Sequence, residues 1–556
     1  MALRFQLVGL NCRYSHSCLA LFYVRHALEH NVSGAAVEIA QLTINDPYYD
    51  TLLRISAGEA DALFFSVYIW NARYVSRLVH DLAAVNPGRP LILGGPQAPF
   101  IGELPPCCTV VAGEIEGVAG QFYRDLELGR LQQLYRAEPG RPFPFPYRDG
   151  DFTTLLRNRQ VYYESSRGCP FRCSYCLSSV SLKVGRKDVE AVRQELAQIL
   201  AHEPRIIKFV DRTFNDNPDR ALEIWRFLAA QPGSTRFHFE IAPDRFTGEM
   251  FDFLATVAPD RFQFEIGVQS TNPETLAAVN RRMEVETAAV NIGRLVRLDG
   301  IHLHVDLILG LPFETGESFR ASFNRVFALA PHYIQMGLLK VLPETPIRQN
   351  VQEYGLVFCR QPPYEILATR WLDHPSLIRL HLLGECVEAF YNNRYFRAIW
   401  EYLNRRGEEP YSFFTSLLAV CEQHRFFDLS PTQELLARML CTLAEQRPDK
   451  ALLTDLLRYD WLRCGHRFLP PFLEETPLTE LRGVLRRSLP PSLEGLYDAK
   501  GRSEFLKRGV FVELSAAAVA QTGLGQGERS AIVCFLPEQT AGVLKHSQVV
   551  LLEDAA

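Results

Sequence analysis

Short apolar runs alternate with amphipathic stretches through the first third of the chain. The runs RFQLVGL, VEIAQLTI, ALFFSVYIW, PLILGG and TVVAG have the length and composition of buried strands, whereas SHSCLALFYVRHAL and RYVSRLVHDLAAV have helical periodicity. Strands that alternate with helices predict a parallel sheet built from βα units. We therefore predict an α/β domain with a Rossmann-like sheet over residues 1–137.

A Pro-rich stretch, EPGRPFPFPYRDGD at 138–151, interrupts this alternation. Successive prolines lack backbone donors and stiffen the chain, so they favour neither a helix nor a central strand. We predict a linker over residues 138–157, which is the first domain boundary.

Six further strand-like runs follow the linker: VYYESS, RIIKFV, FHFEIA, FQFEIGV, HLHVDLILG and HYIQMGLLKV. Helical stretches such as DVEAVRQELAQILAHE separate them. This pattern predicts a partial (β/α)6 barrel over residues 158–350. In such layers the loops that follow the carboxyl ends of the strands usually carry the chemistry.

Beyond residue 350 the pattern changes again. Residues 365–490 are rich in Leu and Arg and have mostly helical periodicity, and the tail contains the strand-like pieces FVEL, AIVCFL and QVVLLE. We predict a mostly helical C-terminal domain over residues 351–556. The complete prediction is an α/β protein of three domains.

The composition of the 556-residue chain narrows the function classes. It is 47% hydrophobic and 22% charged, so most of it can fold, and its net charge of −5 gives no general basic field for nucleic acid or anionic lipid. A local basic groove stays open, and with it contact with nucleic acid. No apolar run approaches the roughly 18 residues that cross a bilayer, so we expect a cytoplasmic protein that does not bind membranes.

The cysteines supply the strongest chemical signal. Cys169, Cys173 and Cys176 lie in the stretch SSRGCPFRCSYC, directly after the first strand of the predicted barrel. Three thiolates on one loop can bind three irons of a [4Fe-4S] cluster and leave the fourth iron open for a substrate or cofactor. The alternatives are a zinc site that lacks one ligand and chance thiols on a loop.

This motif and the strands behind it resemble the radical S-adenosylmethionine (SAM) enzymes over residues 160–345. In that family the open iron chelates the amino and carboxylate groups of SAM. One electron from the cluster then cleaves the sulfonium to give a 5'-deoxyadenosyl radical. The resemblance implies an external one-electron reductant such as flavodoxin or ferredoxin, and Tyr175 is similar to the aromatic residue that packs near the adenine.

Three segments, HFEIAPD, EIGVQSTNPETLAAVNRRM and HVDLILGLPFET, resemble strands of the oxygen-independent coproporphyrinogen oxidases and the tRNA methylthiotransferases. By that resemblance Glu240 contacts the SAM amino group, Gln269 and Asp306 contact the ribose hydroxyls, and Arg281 contacts the SAM carboxylate. A carboxylate suits an ammonium group and a guanidinium suits a carboxylate. The alternative for each residue is a surface charge or a cap at a strand end.

The sequence departs from the family after the second barrel strand. Where the family often has a Gly-Gly-Glu-like segment beside the SAM amino group, this chain has KFVDRTFNDN. We place Asp211 or Thr213 there as the SAM contact. An ordinary capping or turn role for Asp211 is an equal alternative.

The segments PLILGGPQAPF and TVVAGEIEG of the first domain resemble the cobalamin-binding domain of one large radical SAM class. The resemblance implies that Gly94 and Gly95, after the fourth strand, let the backbone approach the corrin or its nucleotide tail, and that Glu114 follows the fifth strand at the same site. A glycine pair admits a bulky ligand, but it also serves a plain strand-to-helix turn.

Other candidates in the first domain carry weaker signals. His16 lies where many cobalamin domains have an Asp-x-His-x-x-Gly, but the neighbouring Asp and Gly are missing, so we prefer a histidine near a helix start with Ser15 or Ser17 as cap. We also considered a second iron-sulfur site and prefer buried or incidental thiols for its four cysteines, which are Cys12, Cys18, Cys107 and Cys108.

The C-terminal third has no catalytic signature, and it resembles the domains of unknown function in some cobalamin-type radical SAM proteins. The segment FYNNRYFRAIWEYLNRR at 390–406 interleaves aromatics with arginines; we prefer an amphipathic helix with an aromatic core face over a contact with RNA or phosphate. We expect this domain to close a substrate cavity between the first domain and the barrel.

The resemblance implies a cobalamin-dependent radical SAM enzyme that methylates an unactivated carbon of a substrate which the sequence does not name. Two alternatives remain from the sequence. One is a radical rearrangement or ring-forming reaction with the same cofactors. The other is a non-catalytic corrinoid or iron-sulfur sensor whose C-terminal helices bind a partner.

Overall fold

The computed structural model describes residues 3–179, 183–474, 483–485, 487, 506–526, 529–539 and 547–552. Within these ranges the chain forms two six-stranded parallel sheets and a third region that is mostly helical. The predicted fold class is confirmed. The predicted residue limits of the three domains stay a prediction.

The first sheet has the strand order β2-β1-β3-β4-β5-β6, and all its strands are parallel. Its strands are β1 Arg4–Asn11, β2 Ala36–Thr43, β3 Ala62–Ser66, β4 Leu91–Gly94, β5 Cys108–Ala112 and β6 Leu134–Arg136, and its helices are α1 Leu19–Asn31, α2 Tyr48–Ser56, α3 Ala72–Val85 and α4 Gly120–Glu127. The chain leaves β1 toward β2 on one side and returns to β3 on the other. In parallel sheets that reversal opens a ligand crevice at the carboxyl ends of the strands.

The Pro-rich stretch packs against the helices of the first sheet. It leads into a short helix, α5 Asp149–Thr153, whose Asp151 accepts two hydrogen bonds from Arg25 of α1, at 2.7 Å and 2.5 Å. Both side chains are less than one-tenth exposed. A buried bidentate pair fixes geometry as well as charge, so this stretch is anchored to α1.

The second sheet is a partial barrel of six parallel strands that follow one another in chain order. Its strands are β7 Val161–Tyr163, β10 Ile206–Phe209, β11 Arg236–Ile241, β12 Phe262–Gln269, β13 His302–Leu309 and β14 Tyr333–Leu338, and a small hairpin of β8 Ser166–Arg167 and β9 Gly185–Arg186 follows β7. Its helices are α6 Val189–Leu200, α7 Pro218–Ala229, α8 Gly248–Leu254, α9 Pro273–Ala278, α10 Val285–Leu298 and α11 Gly316–Ala328.

Strands β12 and β13 alternate strictly between buried and half-buried residues. Apolar side chains such as Phe264 and Val305 are fully buried, whereas the alternate positions Glu265, His304 and Asp306 are polar and only partly buried. Because side chains alternate between the two faces of a strand, the sheet has one apolar face for its helices and one polar face. The polar face lines the inside of the barrel.

The third region packs on the barrel's last helix. Its elements are α12 Pro346–Gln349, α13 Val351–Tyr354, β15 Val357–Phe358, β16 Ile366–Ala368, α14 His374–Cys386, α15 Arg397–Arg406, α16 Pro410–Gln423, α17 Gln433–Glu445, α18 Lys450–Arg463, β17 Val510–Leu514, α19 Ala516–Gln521, β18 Ala531–Gln539 and β19 Ser547–Leu552. Phe323 and Phe327 of α11 contact the rings of Trp400 and Phe414. The third region therefore shares a hydrophobic core with the barrel.

The segment at 390–406 is helical from 397 onward, as the preferred interpretation predicts. Tyr391, Phe396 and Trp400 are buried in the core, and Arg406 pairs with Asp449. The three strand-like pieces of the tail form one antiparallel sheet, β17-β18-β19. Most of the end of the predicted helical region, from 475 to 490, lies outside the described residues.

Candidate functional site

The three motif cysteines lie on the loop that follows β7 and the short strand β8. Gly168 opens this loop with a φ of 93°, and a Cβ atom there would lie 2.4 Å from the carbonyl oxygen of Lys183, so only glycine fits. Cys173 is buried and packs with Phe171 and Ala242, whereas Cys169 and Cys176 are partly exposed. The local sequence thus builds a tight loop with its thiols near the carboxyl ends of the barrel strands.

Backbone contacts hold the cysteine loop from two directions. The N–H of Ser174 donates to the carbonyl of Val279 at 2.9 Å, and the side chain of Asn280 donates to the carbonyl of Arg172 at 2.9 Å. From the other side, the N–H of Ile347 in α12 donates to the carbonyl of Ser174 at 3.0 Å. The loop is therefore positioned by the segment after α9 and by the segment after the last barrel strand.

The three thiols suit an iron-sulfur cluster by their chemistry and their place on one loop. Each thiolate of a [4Fe-4S] cluster binds a different iron, so three cysteines leave one iron open. The cluster and the incomplete zinc site both stay predictions at this point.

Asp211 lies at the end of β10 and is 1% exposed. Its carboxylate accepts hydrogen bonds from the N–H and the hydroxyl of Ser165, at 2.9 Å and 2.5 Å, and from the hydroxyl of Ser166 at 2.7 Å. These contacts orient the residues that lead into the cysteine loop. They support the positioning role for Asp211 over the predicted contact with SAM.

Thr213, the other candidate after β10, lies beside the cysteines. Its hydroxyl is 3.5 Å from the sulfur of Cys169 and donates to the carbonyl of Arg212 at 2.7 Å. Asn215 is fully buried and forms two hydrogen bonds with the backbone of Ala242, at 2.9 Å and 2.8 Å. The polar run after β10 thus joins the cysteine loop to the end of β11.

Glu240 lies on β11 among other carboxylates. Burial raises its pKa to about 8; Arg212 opposes this shift, whereas Glu265 and Asp306 add to it. A carboxyl group whose pKa lies this high is not matched by enough positive charge within the protein. An ammonium group of a ligand at this position would supply that charge, which fits the predicted SAM contact.

The end of β12 has an irregular backbone that brings Gln269 and Arg281 together. The register with β13 shifts between Gly267 and Gln269, and Gln269 has a φ of 70°, which is strained for a residue other than glycine. The guanidinium of Arg281 donates to the carbonyl of Gly267 and lies 3.9 Å from the sulfur of Cys173. A Cβ atom at position 267 would collide with the side chain of Gln269.

Two buried polar atoms at this bulge have no partner in the described part of the chain. They are Oε1 of Gln269 and Nε of Arg281. Unpaired buried polar atoms are costly, so they indicate that a polar ligand completes the site. A ribose hydroxyl of the ligand would donate to Oε1 of Gln269, and a carboxylate of the ligand would accept from Nε of Arg281.

Asp306 lies on β13 opposite the same bulge and pairs with His304, at 3.0 Å between Oδ1 and Nε2. Burial raises the pKa of Asp306, whereas its carboxylate raises the pKa of His304 against the effect of burial. Inside the barrel His238 contacts Glu265 in the same way, at 3.1 Å. The inner face therefore carries His–carboxylate pairs, which the sequence analysis did not single out.

Tyr175 is packed against the cysteines and the main core. Burial raises the pKa of its hydroxyl well above the usual value. The ring therefore remains a neutral aromatic surface beside the predicted cluster. This placement fits the predicted contact with an adenine.

The glycine pair after β4 is shaped first by the sheet itself. Gly95 has a φ of 103°, and a Cβ atom there would lie 2.6 Å from the carbonyl oxygen of Val67, at the end of β3. Nothing comparable restricts Gly94, whose nearest atom is 4.0 Å away. The fold itself therefore requires glycine at position 95. At position 94, at the carboxyl edge of the sheet, a Cβ atom would fit.

Glu114 and Glu116, after β5, form ion pairs with Arg167 of the barrel. Arg167 lies 3.2 Å from Glu114, 3.0 Å from Glu116 and 2.8 Å from Glu164, and its side chain is only 14% exposed. Three carboxylates and the packed ring of Tyr23 therefore surround one guanidinium, two residues before Cys169. The segment predicted for cobalamin contact thus also anchors the first sheet to the cysteine loop.

We expect the substitution Arg167→Ala to destabilise the fold by about 3 kcal/mol, because it leaves partly buried carboxylates without their cation. Hydrogen exchange is expected to rise at 114–116 and 164–169. Arg4→Ala removes an exposed pair between β1 of the first sheet and Glu59, and it should cost less than about 1 kcal/mol. Equal losses of unfolding free energy in the two variants would contradict this role for Arg167.

The capping prediction for the first helix is wrong. Cys18 precedes α1, no side chain caps the helix, and the hydroxyl of Ser17 instead donates to the carbonyl of Gln160 at 2.7 Å. His16 contacts the hydroxyl of Tyr162 at 2.7 Å, and burial lowers its pKa. These residues therefore connect the loop after β1 to the first barrel strand.

The four cysteines considered for a second cluster differ in how deeply they are buried. Cys18 and Cys108 are buried, and Cys12 and Cys107 are partly buried. The interpretation of these four cysteines as buried or incidental thiols stays a prediction.

An aromatic pair at the carboxyl edge of the first sheet was missed by the sequence analysis. Strand β3 ends at Ser66, not at Trp70 as the apolar run predicts. Tyr68 and Trp70 stack in the loop beyond it, with ring centroids 4.3 Å apart and planes 5° apart, and Trp70 is 47% exposed. Asn71 fixes this loop by hydrogen bonds to the carbonyls of Ser66 and Leu10.

Comparison with known families divides the chain into two matched regions. Residues 163–326 match the Radical SAM superfamily, and residues 352–488 match a protein family of unknown function, DUF4080. The first match contains all three motif cysteines and the predicted SAM contacts. No helix among the described residues combines the length and the apolar character that crossing a membrane requires.

Two relatives and one solved structure extend the comparison. The chain is 25% identical to the 2-(S-pantetheinyl)-carbapenam-3-carboxylate methyltransferase of Streptantibioticus cattleyicolor, over 78% of this chain and 74% of that protein. It is 27% identical to the cobalamin-dependent radical SAM methyltransferase TokK of Streptomyces tokunonensis, over 54% of this chain and half of that protein. The structure of the cobalamin-dependent S-adenosylmethionine radical enzyme OxsB with aqua-cobalamin bound has the same fold, with a TM-score of 0.56 at 14% identity, covering 91% of this chain and 84% of OxsB.

Proposed function

We propose, from the match of residues 163–326 to the Radical SAM superfamily, that the chain is a cobalamin-dependent radical SAM methyltransferase. It methylates an unactivated carbon of a substrate that neither the sequence nor the relatives name. The proposal combines the two-sheet architecture with the relatives, two of which are named methyltransferases.

One observation carries the proposal: a cysteine loop and unpaired polar atoms lie together at the carboxyl ends of the barrel strands. Cys173, Gln269 and Arg281 form a connected group there through the contacts of the guanidinium. Its buried Oε1 and Nε atoms lack partners among the described residues. A chelated amino acid with a ribose would satisfy both.

We assign each part of the cofactors to residues of the chain. Cys169, Cys173 and Cys176 would bind the cluster, and Glu240, Arg281 and Gln269 with Asp306 would bind the amino, carboxylate and ribose groups of SAM. When bound, the cluster and SAM supply reductive cleavage of the sulfonium, and cobalamin supplies the methyl group. The chain itself orients these groups, neutralises their charges and excludes water from the site.

The first sheet would receive cobalamin at the crevice between β1 and β3. Gly94 ends β4 without a side chain that could block a bulky ligand, and Glu114 follows the neighbouring strand β5. Trp70 offers an exposed, stacked ring at the same edge. Large flat ligands bind such rings well because contact buries apolar area on both partners.

We expect Trp70→Ala to weaken cobalamin binding about tenfold, since it removes roughly 1.4 kcal/mol of apolar contact. Equilibrium dialysis of the full chain with aquacobalamin measures the change. Tyr49→Ala, which removes an exposed aromatic ring from α2, is the control and should bind as the unmodified protein does. Unchanged affinity in the Trp70 variant would remove this ring from the site.

A radical SAM enzyme needs an electron donor and a substrate. We propose a small one-electron protein such as flavodoxin or ferredoxin as donor, because the cluster must be reduced before it can cleave SAM. The predicted location in the cytoplasm agrees with such a donor.

An ultraviolet-visible spectrum of protein produced with cobalamin supplied tests the proposed function. We expect a bound corrin at about one per chain and 5'-deoxyadenosine formation after reduction with SAM. No bound corrin would contradict the methyltransferase. A bound corrin without SAM cleavage would instead favour the sensor.

A further inference from the structure

A cavity of about 620 Å³ lies between the first sheet and the barrel exit. The loop after β4 forms one wall, with Phe100. The segment after β14 forms the second wall, and residues of the third region form the rest. The polar and charged lining residues are Glu344, Thr345, Arg348, Gln349, Arg360 and Tyr364.

This cavity touches all three parts of the molecule. The side chain of Gln97, in the loop after β4, donates to the hydroxyl of Tyr364 at 2.6 Å. The N–H of Ile347 in α12 donates to the carbonyl of Ser174, which lies between Cys173 and Cys176. The cavity therefore borders the predicted cobalamin edge on one side and is one helix away from the cysteine loop on the other.

Arg348 is held in place beside the cavity. Its Nη1 donates to the carbonyl of Val341 at 2.8 Å, and its guanidinium lies 5.0 Å from the ring of Phe358 and 5.3 Å from the ring of Tyr364. One hydrogen bond leaves four of the five guanidinium N–H donors for other partners. A stacked guanidinium loses little further freedom when it binds an anion.

The charges of the lining are not balanced. In the described part of the chain, neither Arg348 nor Arg360 forms an ion pair with a carboxylate of the protein. Glu344 is the acidic residue of the lining; it and Arg360 are exposed, and Arg348 is half-buried, so two positive charges face one negative charge. An anionic ligand would correct this imbalance.

We propose that this cavity is the substrate site and that Arg348 and Arg360 bind an anionic group, a carboxylate or a phosphate, of the substrate. The proposal rests on the proposed function, since it takes the molecule bound here to be the one that is modified beside the cluster. A planar guanidinium pairs with carboxylate or phosphate oxygens through two parallel hydrogen bonds. The substrate class is therefore a small anionic molecule.

Phosphorus-31 NMR of inorganic pyrophosphate tests the anion site on the full chain loaded with cluster and cobalamin. We expect the unmodified protein to bind pyrophosphate at least about tenfold more tightly than the R348Q/R360Q variant, because two charge-assisted contacts are lost. Arg425→Gln, which removes an exposed arginine that does not line the cavity, is the control and should match the unmodified protein. Equal binding by the double variant would overturn the proposal.

A phosphate could also come from the nucleotide tail of cobalamin, and a second arm separates the two sources. The titration is repeated with protein loaded with cobinamide, which lacks the nucleotide and its phosphate. Equal pyrophosphate binding with cobalamin and cobinamide supports a site for substrate. If pyrophosphate binds to the protein with cobinamide but not to the protein with cobalamin, the site holds the nucleotide tail of the corrin. That result would overturn the assignment to substrate.

Failure of this inference differs from failure of the proposed function. Iron content and 5'-deoxyadenosine formation are measured on the same unmodified protein. Arginine-dependent pyrophosphate binding without SAM cleavage would contradict the proposed enzyme and with it the assignment to substrate. If the protein cleaves SAM but the R348Q/R360Q variant binds pyrophosphate as tightly as the unmodified chain, only the anion site is overturned.

Discussion

The variant with alanine at Cys169, Cys173 and Cys176 is expected to contain no iron after anaerobic reconstitution and to form no 5'-deoxyadenosine. The unmodified chain should take up about four irons and cleave SAM once reduced. The effect is complete because the three thiolates come from one loop and each binds a different iron, so the variant has no ligand left for the cluster. Iron analysis and chromatography of the nucleosides measure it.

A second triple variant is the matched control. Alanine at Cys12, Cys107 and Cys108 removes the same number of thiols from the first sheet and its loops. It should keep both the iron and the SAM cleavage of the unmodified protein. If the motif variant kept its iron and still formed 5'-deoxyadenosine, the cluster assignment would be wrong.

We expect Glu240→Gln to weaken SAM binding by about tenfold to a hundredfold, since a charge-assisted hydrogen bond is lost. The pKa of about 8 adds a second readout. At pH 7 the empty site holds Glu240 mostly protonated, whereas the N–H groups of the iron-bound SAM amine favour its carboxylate form as the acceptor. Because an amine also loses its ammonium proton when it binds iron, we expect the unmodified chain to release about one proton per SAM more than the amide variant.

Calorimetry in two buffers of different ionisation enthalpy measures the affinity and the proton release together. Glu249→Gln, which removes an exposed carboxylate paired with Arg226, is the control and should change neither value. A Glu240 variant that binds SAM like the unmodified chain would exclude this residue from the SAM site. Equal proton release by the variant and the unmodified chain would assign the titration to another group.

The sequence predicts the strands of both sheets because each is a dense apolar run bounded by turn residues. It misses β6, since three residues with one buried side chain carry no detectable period. It extends β3 through Trp70 for the opposite reason, because an apolar run does not reveal where pairing with β1 and β4 ends. That error concealed the exposed aromatic pair.

The cysteine loop could be predicted because its ligands are adjacent in the chain. The contacts of Arg281 could not be predicted, because they depend on the backbone of β12. That strand has a bulge at Gly267 and a strained residue, Gln269. The Arg167 cluster is hidden for a similar reason: its glutamates come from two different sheets. Side chains that meet only through tertiary packing leave no local signal in one sequence.

Asp211 shows how a short polar run leaves two roles open. From the sequence, a ligand contact and a turn role have equal weight, because an aspartate after a strand serves both. The structure gives its carboxylate three hydrogen bonds from Ser165 and Ser166. These partners, which lie more than forty residues away, favour the turn role, and the contact with SAM stays a prediction.

Transfer of an isotope-labelled methyl group from SAM distinguishes a methyltransferase from the other radical enzymes. The reduced holoprotein is incubated with SAM that carries a trideuterated methyl group and with an extract of cells that lack this protein. We expect a new anionic product that carries one trideuterated methyl group, together with 5'-deoxyadenosine. Formation of 5'-deoxyadenosine and a changed substrate without any deuterated methyl group would contradict the methyltransferase and favour a radical rearrangement.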